Sequence, residues 1–123
     1  MSKKKILLVD DSNDLLDLYE IYLYETFEVT TATNGFEGLQ QLEELMPDCV
    51  VTDIMMPVMD GIQFIGKMRK NEKYSQIPVV ALTAYSSVLQ EHSLEKVGFC
   101  AVISKPISQR VLISTIETII GEK

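Results

Sequence analysis

Cysteine, tryptophan, basic charge and long apolar runs are scarce in this chain. Its 123 residues include two cysteines and no tryptophan, and 11 lysines and arginines stand against 18 acidic residues, for a net charge of −7. Nucleic-acid binding relies chiefly on lysine and arginine, so we expect no direct nucleic-acid partner. No run approaches the roughly 18 apolar residues of a membrane span. We therefore expect a cytoplasmic protein without membrane insertion.

The two cysteines, Cys49 and Cys100, give no sign of a metal or redox site. Each lies in an apolar run, and neither has a second Cys or a His at metal-ligand spacing. Cysteine in such a setting behaves as a small hydrophobic residue, so we expect both thiols to be buried.

Length and composition favour one globular domain over residues 1–123. Hydrophobic residues make up 46% and charged residues 24% of the chain, and no Pro/Gly/Ser-rich stretch suggests a linker. A chain of this size can bury one core but is short for two.

Short apolar runs predict five β-strands. Four of them are rich in Val and Ile, as are strands covered on both faces of a parallel sheet. The fifth, residues 27–32, alternates apolar and polar residues as an edge strand does. The four apolar runs are residues 6–9, 49–51, 79–82 and 101–103.

Segments with helical spacing separate the strands and predict five helices. The second carries an apolar stripe from Phe36 to Leu42, which we expect to be core, and should end before Pro47. The fourth has the weakest pattern, and Ser86 or Ser87 could cap it. Strands that alternate with helices predict a parallel sheet with right-handed crossovers and helices on both faces.

Polar side chains follow four of the predicted strands at the point where each strand ends. Asp10 and Asp11 follow the first, Asp53 the third, Thr83 the fourth and Lys105 the fifth. In an open α/β sheet the ligand site lies at the carboxyl ends of the strands. We therefore expect these five side chains to share one rim of the sheet.

Such a cluster suits a divalent cation beside a phosphoryl group. Two carboxylates about 4 Å apart repel by roughly 4 kcal/mol at an effective dielectric near 20, so folding alone would not favour the acidic trio. Mg²⁺ offsets that repulsion, because it binds carboxylate oxygens together with water and phosphate oxygens. The Lys105 ammonium and the Thr83 hydroxyl can bind phosphoryl oxygens, and the Asp53 carboxylate can attack phosphorus to form an aspartyl phosphate.

Four motifs in order make the chain resemble the receiver domains of bacterial two-component response regulators. They are LLVDD at 7–11, VVTDIMMPVMDG at 50–61, ALTAY at 81–85 and SKP at 104–106. The resemblance covers nearly the whole chain. It implies an α/β fold, a flavodoxin-like doubly wound (βα)5 sandwich whose parallel five-stranded sheet has the order 2-1-3-4-5. In that order Cys49 and Cys100 would lie too far apart for a disulfide.

The resemblance also implies roles for the rim residues. Asp53 would be the phosphoacceptor, Thr83 the switch hydroxyl and Lys105 the phosphate-binding cation, and the bond from Lys105 to Pro106 would be cis. Three carboxylates and one main-chain oxygen would bind Mg²⁺, namely those of Asp10, Asp11, Asp53 and the backbone carbonyl of Met55.

The function that the resemblance implies is signal transduction. A sensor histidine kinase or a histidine phosphotransfer protein would donate the phosphoryl group in a Mg²⁺-dependent reaction, as in a phosphorelay. Phosphorylation would then switch a surface that a downstream protein target binds. The chain would be no enzyme beyond catalysing its own phosphorylation and dephosphorylation.

Two departures from the family pattern bear on switching. Val102 stands where many relatives carry Tyr or Phe, so we hypothesise that Thr83 still moves and that the loop and the fourth helix, rather than a swinging ring, transmit the change. Met55 and Tyr85 lie at positions that influence acyl-phosphate hydrolysis in the family. We hypothesise that these bulky side chains hinder water and prolong the phosphorylated state.

Two other functions stay open. A haloacid-dehalogenase-like phosphatase or phosphotransferase also uses an Asp nucleophile, but it needs a second acid two residues later, where this chain has Met55. A constitutive adaptor that retains only the fold is the third possibility. An EF-hand reading of residues 10–14 fails, because Ile21 occupies the place of the bidentate Glu. Asp60 and Gly61 are interpreted as a turn and a helix start.

Overall fold

A computed structural model describes residues 3–84 and 88–121 and confirms the alternation of five strands with five helices. The elements are β1 (Lys5–Val9), α1 (Asn13–Leu23), β2 (Glu28–Ala32), α2 (Gly35–Leu45), β3 (Cys49–Asp53), α3 (Gly61–Lys70), β4 (Val79–Thr83), α4 (Val88–Val97), β5 (Ala101–Ser104) and α5 (Gln109–Ile120). In the part of the chain that is described, no helix is long and apolar enough to cross a membrane.

The sheet has the predicted flavodoxin-like, doubly wound order β2-β1-β3-β4-β5, and all neighbouring strands are parallel. Strand β2 lies at one edge, as its alternating pattern predicts. Strand β5 lies at the other edge, and Ala101 and Val102 are only half-buried. The expectation that residues 101–103 are covered on both faces was therefore wrong for Ala101 and Val102, because a strand with one neighbour leaves part of its surface to solvent, whereas Ile103 is buried.

Alternate side chains of the central strands enter two separate hydrophobic clusters, one on each face of the sheet. Leu7 and Val9 of β1 pack with α2, α3 and α4 on one face. Ile6 and Leu8 pack with α1 and α5 on the other. Each face of the sheet thus has its own layer of helices.

The predicted burial of Phe36 was wrong, since its side chain is 54% exposed. Helix α2 approaches its neighbours through glycines instead. A Cβ atom on Gly35 would lie 2.5 Å from Met59 Sδ, and one on Gly38 would lie 3.0 Å from Phe64 Cε1. This close contact on the glycine side turns Phe36 outward.

The prediction that both cysteines are buried was correct for Cys49 and wrong for Cys100, which is exposed. Cys100 precedes the edge strand β5 and so lies outside the core. Both thiols are free. Strand β4 lies between β3 and β5, and this separation keeps Cys49 and Cys100 from forming the disulfide that the predicted strand order excludes.

Side-chain caps fix where the helices begin. Asp60 caps α3 in a reciprocal capping box with Gln63, which confirms the predicted turn and helix start at Asp60–Gly61. Gly61 is required there, because a Cβ atom would lie 2.6 Å from the carbonyl oxygen of Asp53. Helix α2 ends at Leu45, before Pro47 as predicted. The predicted α4 caps, Ser86 and Ser87, lie outside the described residues.

Arg69 connects two loops at the amino-terminal ends of the strands, on the side of the molecule opposite the polar rim. The Arg69 guanidinium donates to the backbone carbonyls of Tyr74, Ser75 and Ile77 at 3.4, 3.2 and 2.9 Å, and to that of Gly98 at 3.1 Å. These carbonyls belong to the α3–β4 and α4–β5 connections. One side chain therefore satisfies backbone groups of two loops.

Candidate functional site

The carboxyl ends of four parallel strands bring the predicted polar residues to one rim. Asp10 directly follows β1, Asp53 ends β3, Thr83 ends β4 and Lys105 directly follows β5. The strand registers place Asp53 opposite Leu82 and Thr83 opposite Ser104, so these strands end at nearly the same level. Parallel pairing is what turns four separate sequence positions into one site.

Three carboxylates converge at this rim. Oxygen atoms of Asp10, Asp11 and Asp53 all lie within 4.8 Å of one another. Asp10 and Asp53 are 2% and 6% exposed, whereas Asp11 is exposed. The two neighbours Asp10 and Asp11 can face the same space because β1 ends at Val9, before the strand alternation would separate them.

The charged form of Asp10 is electrostatically unfavourable at this rim. Burial, and to a smaller extent the negative charge of Asp53, raise the pKa of Asp10, although a hydrogen bond from the Ser12 backbone N–H to Asp10 Oδ1 at 2.9 Å opposes the shift. Asp10 Oδ2 is buried, and none of the described residues donates a hydrogen bond to it. A buried carboxylate oxygen without a donor, beside two further carboxylates, fits a hard divalent cation such as Mg²⁺.

Lys105 supplies the positive charge of the rim. Its Nζ atom lies 3.2 Å from Asp53 Oδ2 and 3.9 Å from Asp10 Oδ2. The Lys105 backbone N–H donates to the Thr83 carbonyl at 2.8 Å, and the Lys105–Pro106 peptide is cis, as the motif predicts. The backbone thus anchors the lysine at the end of β5, with its ammonium group directed at Asp53.

Thr83 and Met55 lie on the α3–α4 side of the same rim. Thr83 is 6% exposed and lines a cleft of 250 Å³ with Ile54, Met55, Ile62 and residues of α4. The Met55 side chain is 69% exposed, so it covers the cleft from outside. The metal-binding role of the Met55 carbonyl stays a prediction, and Tyr85 lies outside the described residues.

Sequence reasoning missed Tyr19 as part of this region. Its ring is 2% exposed, and burial, followed by the charges of Asp10 and Asp53, raises the pKa of Tyr19 to about 12. The phenol therefore stays neutral next to the carboxylates. In the sequence, Tyr19 shares its helical spacing with apolar neighbours, and nothing there distinguishes it from them.

Comparison with known proteins gives a consistent result. The family model for the response regulator receiver domain matches residues 6–117. The polar-differentiation response regulator DivK of Brucella ovis is 34% identical over 76 residues, which are 62% of this chain and 62% of that protein. The chain spans 35% to 62% of the length of the curated relatives it matches.

Solved structures are similar over nearly the whole chain. The chemotaxis protein CheY4 of Vibrio cholerae superimposes with a TM-score of 0.89 at 29% identity, covering 95% of this chain and 98% of that one. A CheY-like receiver domain protein of Methanospirillum hungatei gives a TM-score of 0.87 at 30% identity, covering 98% and 96%.

Proposed function

This chain belongs to the response regulator receiver family, and on that premise we propose that it is a signalling module in which Asp53 accepts a phosphoryl group in a Mg²⁺-dependent reaction. The single observation that carries the proposal is the position of Lys105 Nζ, 3.2 Å from Asp53 Oδ2 at the edge of the acidic trio. A cation held against a carboxylate at a strand end can bind the oxygens of an incoming phosphoryl group.

The proposed reaction is transfer from a phosphohistidine. A carboxylate oxygen of Asp53 attacks phosphorus, the new O–P bond forms and the N–P bond of the donor breaks, and the electron pair of that bond stays on the histidine nitrogen, which takes up a proton. The Lys105 ammonium would move from carboxylate to phosphoryl oxygens, and the Thr83 hydroxyl would donate to one of them.

The residues that would hold Mg²⁺ are Asp10, Asp11, Asp53 and the backbone carbonyl of Met55. When bound, the ion supplies positive charge that offsets the carboxylates and the phosphoryl oxygens. Asp10 Oδ2 supports this assignment, since it is buried and no described residue donates a hydrogen bond to it; the Lys105 ammonium, at 3.9 Å, lies beyond hydrogen-bond distance.

A groove next to Lys105 supports a protein as the phosphoryl donor. It measures 450 Å³, and Leu15, Leu18, Tyr22 and Pro106 line it together with the lysine. Leu18 is 39% exposed. We expect a sensor histidine kinase or a histidine phosphotransfer protein to dock there. The predicted cytoplasmic location is consistent with such a donor. A Leu18→Ser variant should then lose transfer from a phosphorylated protein while keeping phosphorylation by acetyl phosphate.

The switch would act without a swinging aromatic ring. Val102 is half-buried and packs against the hydrophobic cluster beneath α3 and α4. A valine has no long ring to move, so Thr83 and the loop that follows it would pass the change to α4 and to a downstream protein target. Structures with and without a phosphoryl mimic test this, and an unmoved Thr83 loop would contradict it.

Incubation with acetyl phosphate and Mg²⁺, followed by intact mass measurement, tests the central proposal. We expect the mass to rise by one PO₃ unit in the wild type and in Asp17→Asn, an exposed control on α1, but not in Asp53→Asn or after chelation of the metal. Multiple turnover of small phosphate esters would instead favour the dehalogenase-like enzyme, and an unmodified wild type would favour the constitutive adaptor.

A further inference from the structure

A second groove plays no part in the proposed phosphoryl transfer. The β3–α3 loop lies between it and the cleft that Thr83 lines. The second groove measures 380 Å³ and lies between the start of α2, the β3–α3 loop and the outer face of α3. Phe36 and Val58, at its mouth, are 54% and 82% exposed. Large apolar side chains this exposed beside a concave surface mark an interaction site when further observations agree.

Val58 is held in an unfavourable backbone conformation at the mouth of this groove. Its φ is 71°, and the N–H of Met59 donates to the carbonyl of Pro57 at 2.8 Å, so the three residues form a γ-turn. Positive φ is a clear outlier for a β-branched residue. Strain of this kind clusters at ligand clamps and switch regions. Here it presents an apolar side chain to solvent.

Gly66 forms an open part of the groove wall in the middle of α3. Its backbone is helical, and an added Cβ atom would meet nothing within 4 Å. Gly35, Gly38 and Gly61 differ, since a Cβ atom on each would lie within 3.0 Å of a neighbouring atom. Glycine inside a helix lowers stability, and no packing contact with the residues described by the structure requires one at position 66. Its effect is to widen the open space of the groove.

The charge of the groove is opposite to that of the chain. Lys67 and Lys70 line it with the neutral Gln63, and no lining residue is acidic. Among the residues that the structure describes, neither lysine has a carboxylate within 4.0 Å. Gln63, Gly66, Lys67 and Lys70 share the outer stripe of α3, at the spacing of one helical face. A chain with a net charge of −7 thus keeps two uncompensated cations beside exposed apolar side chains.

We propose that this groove is a docking site for an acidic amphipathic segment of a partner protein. Large apolar side chains of the segment would fill the space beside Phe36, Val58 and Gly66, and its carboxylates would meet Lys67 and Lys70. This is the pattern of an amphipathic helix lying in a groove. Nucleic acid and anionic membranes fit less well, because the chain as a whole is acidic and repels extended polyanions.

Selection from a peptide library displayed on phage, with the full unphosphorylated chain as target and Gly66→Leu as counter-target, tests the proposal. We expect enriched peptides in which acidic residues surround large apolar ones. Fluorescence anisotropy should show that Gly66→Leu weakens their binding by about tenfold or more, because a large apolar side chain loses its burial site. The melting temperature of Gly66→Leu should equal or exceed that of the wild type, since leucine favours helix.

Two further variants separate docking from folding. Val58→Asn should bind the selected peptides more weakly and melt at a higher temperature, because Asn tolerates positive φ. Lys67→Glu with Lys70→Glu should weaken binding and reverse its salt dependence, because salt then screens repulsion between like charges, whereas Lys73→Glu, an exposed control in the α3–β4 connection, should change neither.

Selected peptides that are basic, or that bind Gly66→Leu as tightly as the wild type, would overturn the proposal. So would a dimer of the wild-type chain that Gly66→Leu dissociates, because the groove would then belong to a second copy. Because the assay needs neither Mg²⁺ nor a phosphoryl donor, its failure would leave the proposed phosphorylation of Asp53 untouched.

Discussion

Replacing Asp10 with asparagine should stabilise the metal-free fold, and the structure allows the size of the effect to be worked out. Repulsion between Asp10 and Asp53, whose oxygens lie within 4.8 Å, amounts to about 3.5 kcal/mol at an effective dielectric near 20. Attraction between Asp10 and the Lys105 ammonium at 3.9 Å amounts to about 4.3 kcal/mol at the same dielectric. These two nearly cancel, the exposed Asp11 carboxylate adds some further repulsion, and the cost of burying the Asp10 carboxylate then decides the sign.

Asparagine removes that cost while keeping the local hydrogen bond. Its side-chain oxygen can still accept from the Ser12 backbone N–H, and its amide group in place of Oδ2 can donate toward Asp53. Removing a buried charged oxygen without a donor should raise the free energy of unfolding by about 1–3 kcal/mol. For a domain of this size the melting temperature should rise by roughly 4–12 °C.

The pH dependence of the effect has a definite sign. The raised pKa of Asp10 means that the folded state holds this proton more tightly than the unfolded chain does. The stability contributed by this group is therefore lost as pH rises through the folded-state pKa and regained as pH falls toward the unfolded value. In metal-free buffer, the advantage of Asp10→Asn over the wild type should shrink as pH is lowered from about 7 to about 4.

Thermal and urea denaturation with and without Mg²⁺ provide the assay, with Asp17→Asn as the control. The wild type should gain about 2.7 kcal/mol when Mg²⁺ is at a hundred times its dissociation constant. Asp10→Asn should lose most of that gain. A metal-free Asp10→Asn protein that is less stable than the wild type, or that keeps the full Mg²⁺ effect, would refute the reasoning.

Two further substitutions and one labelling reaction test the packing of the fold. Gly61→Ala should lower the free energy of unfolding by about 1–3 kcal/mol, because its Cβ atom would lie 2.6 Å from the Asp53 carbonyl oxygen; an unchanged urea midpoint would contradict this. Arg69→Lys should lower the free energy of unfolding by about 2–3 kcal/mol, since an ammonium cannot reach the carbonyls of two loops at once. An Arg69→Lys protein with the wild-type urea midpoint would show that these hydrogen bonds contribute little. Burial raises the pKa of Cys49 to about 12, so a thiol reagent near pH 8 should label Cys100 alone in the native protein and both cysteines in denaturant; rapid labelling of two thiols in the native state would show that the core opens easily.

Much of the site could be predicted from the sequence, because parallel strands convert a local pattern into a spatial one. Asp10 and Thr83 directly follow apolar runs, and Asp53 and Lys105 come one residue later, after Thr52 and Ser104. Once the runs are assigned to one parallel sheet, these residues must meet at one rim. The rim could be predicted without knowing any side-chain contact.

Other features depend on contacts that leave no pattern in the sequence. The partners of Arg69 are backbone carbonyls, which every residue carries, so only the folded chain reveals them. The positive φ of Val58 runs against the preference of valine and is imposed by the loop. Phe36 has the spacing of a core residue, but the close approach of α2 through Gly35 and Gly38 turns it outward.

Among the described residues, the hydrophobic clusters on the two faces of the sheet share no side chain. The sheet between them is therefore a partition of the core. Free-energy changes from substitutions in Leu42 on one side and Leu112 on the other should therefore be additive. The same partition leaves the α1 surface and the α2–α3 surface free to diverge independently during evolution. A new binding partner on the α2–α3 side could thus evolve without a change to the α1 side, where we propose that the phosphoryl donor docks.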